Sequence, residues 1–94
     1  MLKFEWDENK NNKNIKKHGI SFEEASSVFQ DEEALIIADE SHSKSEERFI
    51  LIGFSFKANL LVVCHCYREK DSVIRIISAR KADKKERQKY IEKL

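Results

Sequence analysis

Two arginines stand at the ends of apolar runs and are the side chains best suited to chemistry on an anion. Arg48 opens RFILIGFSF directly after the polar stretch DESHSKSEE, and Arg80 closes SVIRIISAR just before a charged final segment. A guanidinium keeps its charge, and its planar fork donates two parallel hydrogen bonds to a phosphate or carboxylate. Each arginine also has a structural reading: Arg80 bridging Asp83 or Glu86, Arg48 paired with Glu46 or Glu47. Arg75 lies inside a strand pattern, on the face that alternation assigns to Val73, Ile77 and Ala79. A charge there is costly unless it reaches an edge, an anion or a carboxylate, so it serves a polyanion or a structural ion pair.

Proton exchange near neutral pH falls first to the histidines. His18 ends a predicted helix, and its alternative role is a hydrogen bond to local carbonyls. His42 sits in the accessible acidic stretch and is a candidate general acid or base. Tyr67 and Tyr90 could stack on a base or donate a phenolic proton; Tyr90 could equally cover a sheet edge, and Trp6 reads as core. The triplet Cys64, His65, Cys66 is not a metal site: on a strand the two thiols face one way and the imidazole the other. Buried packing is the expectation for both cysteines, and neither metal nor other cofactor is expected.

These groups need elements to hold them. Asp7 is a natural N-cap and Gly19 a natural C′ residue, which predicts a helix from Glu8 to His18. On it Lys10, Lys13 and Lys17 share one face, while Asn11, Ile15 and His18 share another. With one apolar residue the helix needs tertiary docking. Ser21 and Glu24 form an expected capping box for a second helix, with Ile20 and Ala25 as its hydrophobic staple. Phe22, Ala25, Val28 and Phe29 make its packing stripe. The period then changes to that of strands: ALIIA (34–38), RFILIGFSF, NLLVVCHCYR and SVIRIISAR, the last three joined by turns at Lys57–Asn59 and Glu69–Asp71. Short turns imply antiparallel neighbours. Apolar residues on both faces of the last two strands imply a sheet covered on both sides. Asp83 and Glu86 cap a final helix carrying Arg87, Tyr90, Ile91 and Leu94. The expected order is one strand, two helices, four strands and a helix.

With 94 residues, 40% of them hydrophobic, two Gly and no Pro, the composition fits one ordered α+β domain over residues 1–94 rather than a disordered chain. The longest apolar run is LLVVC, too short to span a membrane, and no signal-peptide core is visible, so a cytoplasmic protein is expected. Net charge is +1, but unevenly spread: nine acids against Lys44 from Glu23 to Glu47, and seven Lys or Arg against three acids from Arg80 to Leu94. Such a cationic end suits phosphate, or simply water.

FEWD, KHGISFEEA, DESHSKSEERF, the Gly53 of LIG, LLVV, IRIISARKA and the closing ER with Tyr90 together resemble the BrnT family of bacterial type II toxins, from Phe4 to Tyr90. The resemblance implies a small RelE-like domain: an antiparallel sheet packed by two N-terminal helices, with a C-terminal helix. It implies an endoribonuclease that cleaves RNA and inhibits translation, neutralised by a BrnA-type antitoxin. That antitoxin would carry a ribbon-helix-helix part, so operator DNA is met only through the complex. Cutting RNA without a metal requires 2′-hydroxyl attack on phosphorus, two proton transfers and neutralisation of charge on the phosphate. Under this reading Arg48, Arg80, His42, His18 and Tyr90 are the catalytic candidates, with Lys10, Lys13, Lys17, Arg75, Lys81 and Arg87 as RNA contacts that fix orientation. A non-catalytic nucleic-acid-binding module and a protein-interaction domain are the competing classes.

Overall fold

The computed structural model describes residues 2–39 and 47–93. Its elements are β1 (Lys3–Glu5), α1 (Glu8–His18), α2 (Phe22–Ser27) running into a 3-10 turn (Val28–Gln30), β2 (Leu35–Ala38), β3 (Phe49–Phe54), β4 (Leu60–Arg68), β5 (Val73–Lys81) and α3 (Lys84–Glu92). The five strands form one sheet in the order β1-β5-β4-β3-β2. The run from β2 to β5 is an antiparallel meander, as the short turns dictate. β1 lies outside that meander and pairs with β5 in parallel, Phe4 opposite Ile74. β1 reaches β5 through no hairpin, so no turn constrains its direction.

Local capping sets the helix bounds. The Asp7 carboxylate accepts from the Asn9 and Lys10 N–H groups, and Gly19 leaves α1 at φ 72° with its own N–H on the Ile15 carbonyl. The Ser21 hydroxyl accepts the Glu24 N–H at 3.0 Å. The expected reciprocal bond from Glu24 is absent, because that carboxylate turns into the protein and accepts from Ser55 Oγ at 2.7 Å and Asn59 Nδ2 at 2.8 Å. It ties α2 to the β3–β4 turn. At α3 both halves of the Asp83–Glu86 box are formed.

How α1 docks departs from the apolar face read in the sequence. Ile15 is 41% exposed, whereas Asn14 is buried. The Asn14 amide donates to the Ala79 carbonyl at 2.8 Å and accepts the Ala79 N–H at 3.2 Å; it also donates to the Ile20 carbonyl at 2.8 Å. β1 covers β5 only at Val73, Ile74 and Arg75. Beyond that point the outer edge of β5 would expose strand donors and acceptors, and one side-chain amide replaces the missing strand at Ala79. Asn11 adds a bond by accepting the Phe22 N–H at 2.8 Å.

The sheet has a helix face and an open face. On the helix face Ile20, Phe22, Ala25 and Val28 pack on Leu51, Leu61, Val63, Ile76 and Ala79. On the other, Ile52, Leu60 and Val62 are covered at one end by Tyr90 of α3. Gly53 permits the close approach of β3 to the chain after α2: a Cβ there would lie 3.0 Å from side-chain atoms of Val28, Asp31 and Ala34. A register shift between Cys64 and His65, whose partners are Ser78 and Ile76, interrupts alternation in β5. Ile76 and Ala79 therefore both reach the helix-face core, and Arg75 does not share a face with Ala79 as simple alternation required.

Asn14→Ala is expected to lower folding stability by about 2–4 kcal/mol, since it leaves buried backbone groups of Ala79 and Ile20 unmet. Urea unfolding measures this; a wild-type midpoint in the variant would show that the amide does not support the β5 edge.

Candidate active site

On the open face, a cavity of about 200 Å³ is lined by Asp39, Arg48, Ile50, Val62, Cys64, Ile77, Ser78 and Arg80. Strand register explains the grouping. Ile52, Val62 and Arg80 form one cross-strand row, and Ile50, Cys64 and Ser78 the next. Arg48 precedes β3, four residues from Ile52, so its backbone is offset from the Arg80 row by about 13 Å along the strands. Both side chains nonetheless line the same cavity. Asp39 donates its N–H to the Arg48 carbonyl at 2.8 Å, which extends the β2–β3 pairing by one step and holds both residues at the cavity.

Arg80 is gripped from one side. Its Nη1 and Nη2 donate to Glu86 Oε1 and Oε2, both at 2.8 Å, and Nη1 also reaches the Lys81 carbonyl at 3.3 Å. Glu86 Oε1 accepts the Asp83 N–H as well, at 2.8 Å, so the ion pair is built on the cap of α3. The Arg80 fork, aided by the Asp83 N–H, outweighs burial and holds the Glu86 carboxyl below its ordinary value. Burial and the Asp39 carboxylate push the Cys64 thiol up, so it stays protonated and faces Asp39 Oδ2 at 3.9 Å. It is half-buried rather than buried, unlike Cys66.

The other sequence candidates lie elsewhere. His42 falls outside the described residues, as does Glu46. His18 ends α1 and does not line the cavity. Tyr90 is buried under α3, where its hydroxyl donates to Asp31 Oδ2 at 2.7 Å, beside the Phe54 N–H on the same oxygen at 2.8 Å. Burial would raise the Asp31 carboxyl, but the Phe54 N–H, the Tyr90 hydroxyl, the Glu33 N–H and the Lys93 charge bring it below its usual value. Burial and the bond to Asp31 push Tyr90 up to about 12. Its placement is that of a clamp between α3 and the chain after α2. Arg75 is paired with Glu5, its register neighbour on β1, at 2.7 Å. Lys10, Lys13, Lys17, Lys81 and Arg87 are exposed, and none lines the cavity.

His65 is a core histidine. It is fully buried among Phe29, Tyr67 and Phe49, with ring centroids at 4.8, 5.4 and 6.1 Å, and burial lowers its pKa. A larger cavity, about 400 Å³, has Glu47, Phe49, Tyr67 and Asp71 in its lining. With two carboxylates and no cation among those described lining residues, it is unsuited to a polyanion. No group of three or more His, Cys, Asp or Glu side chains among the described residues is placed to hold a metal. No helix there is long and apolar enough to cross a membrane.

Sequence reading missed Asp39, Cys64 and Ser78 as cavity neighbours of the arginines. Their signal was parity: Ile50 and Ile52, Val62 and Cys64, Ser78 and Arg80 share one face within each strand. Only strand order turns that into proximity.

Residues 6–86 match the family described as "Ribonuclease toxin, BrnT, of type II toxin-antitoxin system". Among solved structures, the chain is similar to the ribonuclease toxin BrnT of Brucella abortus, with a TM-score of 0.67 and 24% identity, over 89% of this chain and 100% of that one. At that identity the likeness establishes the fold. No curated protein matches the chain.

The Tyr90–Asp31 clamp has a pH signature. A phenol whose folded pKa, about 12, lies above its ordinary value of 10.0 contributes stability that is fully present below pH 10 and lost as pH rises through 12. Wild type is therefore expected to lose stability between pH 10 and 12 more steeply than Tyr90→Phe, and to exceed it by about 1–2 kcal/mol at pH 8. Parallel melting curves across that range would remove the clamp.

Proposed function

The chain belongs to the BrnT family of ribonuclease toxins of type II toxin-antitoxin systems, and we propose that residues 1–94 act as one toxin domain whose open-face cavity is where RNA is cut. The observation that carries this reading is the lining of one cavity by two guanidiniums and a carboxylate, Arg48, Arg80 and Asp39. In the proposed reaction the ribose 2′-hydroxyl attacks the adjacent phosphorus as its proton leaves. The O2′–P bond forms, the P–O5′ bond breaks, and the products end in a 2′,3′-cyclic phosphate and a 5′-hydroxyl. Arg48 and Arg80 hold the non-bridging oxygens and stabilise the charge that grows on them, which calls for no metal. Asp39 is the sole carboxylate among the described lining residues, and we assign it the proton of the 2′-hydroxyl. His42, three residues further along the chain, is our candidate for protonating the leaving oxygen.

Lys81 and Arg87 flank the end of β5 and the start of α3, and under this reading they contact phosphates on either side of the scissile one. Lys10, Lys13 and Lys17 belong to α1 at the β5 edge, so a phosphate they meet lies on RNA passing over the helix layer. The family description supports an antitoxin partner; we take it to be of the BrnA type, with operator DNA bound only through the complex. An RNA substrate and inhibition of translation support a cytoplasmic location.

Arg80→Ala and Arg48→Ala are each expected to reduce RNA cleavage by about 10²–10³-fold, and Asp39→Asn by about 10²–10⁴-fold, with circular dichroism unchanged. Cleavage should persist in a chelator. Full activity in both arginine variants would take the reaction out of this cavity, and loss of activity with EDTA would contradict the metal-free step. A separate expectation concerns the partner: the toxin should melt at a higher temperature with antitoxin present, because a ligand of the folded state stabilises it by mass action. Identical curves with and without it would count against a folded-state complex.

A further inference from the structure

We propose that Glu86 is a positioning residue for Arg80: it occupies one fork of the guanidinium so that the second fork is presented, already oriented, to a phosphate in the cavity. The inference rests on the ribonuclease reading above and on counting donors. An arginine has five N–H groups. One on Nη1 and one on Nη2 meet the two Glu86 oxygens, and the remaining Nη1 hydrogen turns back to the Lys81 carbonyl. That leaves Nε–H and the outer Nη2–H, which lie parallel on the adjacent edge and have no partner among the described residues. Two parallel donors match two oxygens of one phosphate. The side chain is 43% exposed and lines the cavity, so it is within reach of a ligand there.

The carboxylate is itself fixed. Glu86 Oε1 accepts the Asp83 N–H while Asp83 caps the Glu86 N–H, both at 2.8 Å, so its position follows from the start of α3 rather than from a free rotamer. A guanidinium fixed in this way loses less freedom on taking up phosphate than a mobile one. Lysine could not substitute, because one ammonium cannot offer two planar forks.

Glu86→Gln is the informative variant, since glutamine retains the capping-box acceptor but weakens the grip on Arg80. Cleavage of a short oligoribonucleotide should show kcat reduced about tenfold or more with KM raised by a smaller factor, and thermal melting close to wild type. In an Arg80→Ala background, the same substitution should cost nothing further. A Glu86→Gln protein that cuts at the wild-type rate overturns the inference. So does an equal loss in both backgrounds, which would mark a general structural effect. If wild type leaves RNA whole, the ribonuclease reading fails, and binding of the same oligonucleotide made with 2′-O-methyl riboses decides the positioning role. Affinity should then fall with Glu86→Gln only when Arg80 is present; unchanged affinity overturns it.

Discussion

The outer edge of β5 is the constraint on which the rest of the molecule turns. β1 pairs with three residues of β5, and Ala79, one residue before Arg80, lies beyond its reach. The Asn14 amide meets both backbone groups of Ala79 and so replaces a missing strand. The same side chain bonds the Ile20 carbonyl, which brings Ile20 and the stripe of α2 onto the helix face. Helix docking, edge protection and placement of the strand end that carries Arg80 thus share one buried polar group. Such a group is costly unless fully bonded, and here it makes three bonds.

A second economy concerns Arg80. Ion pair and anion contact looked like alternatives in the sequence, yet a guanidinium has enough donors for both. Its pairing with Glu86 uses one edge, and the adjacent edge retains a complete fork. The capping box of α3 holds the carboxylate that holds the arginine, so the same residues that start a helix also orient a cavity side chain. Arg75, by contrast, lies directly across from its carboxylate, Glu5, and belongs to the β1–β5 junction. Two arginines of one strand are thereby given different tasks by their neighbours.

The asymmetry of the two sheet faces follows from element lengths. α1 and α2 cover one face over the core row of Leu61, Val63, Ile76 and Ala79. α3 is nine residues long and covers only the end of the other, through Tyr90 on Ile52, Leu60 and Val62. The remainder, around Ile50, Cys64, Ile77 and Ser78, is a hollow floored by apolar residues and rimmed by charge. An arginine beside such a floor is less hydrated than one on a convex surface, and its attraction to an anion is correspondingly stronger.

Local chemistry was legible in the chain. Asp7 and Gly19 bounded α1 as observed, Asp83 and Glu86 started α3, and the turns at Lys57–Asn59 and Glu69–Asp71 made the meander. These features depend on residues a few positions apart, where backbone geometry alone is restrictive. Side-chain partners across the fold were not legible: Glu24 left its expected cap for Ser55 and Asn59, Asn14 rather than Ile15 docked α1, and a register shift reversed the face of Arg75. The grouping of Arg48 and Arg80 at one cavity is of the same kind. They are separated by a whole intervening strand, and a strand's own alternation says which way a side chain points but not which strand lies beside it.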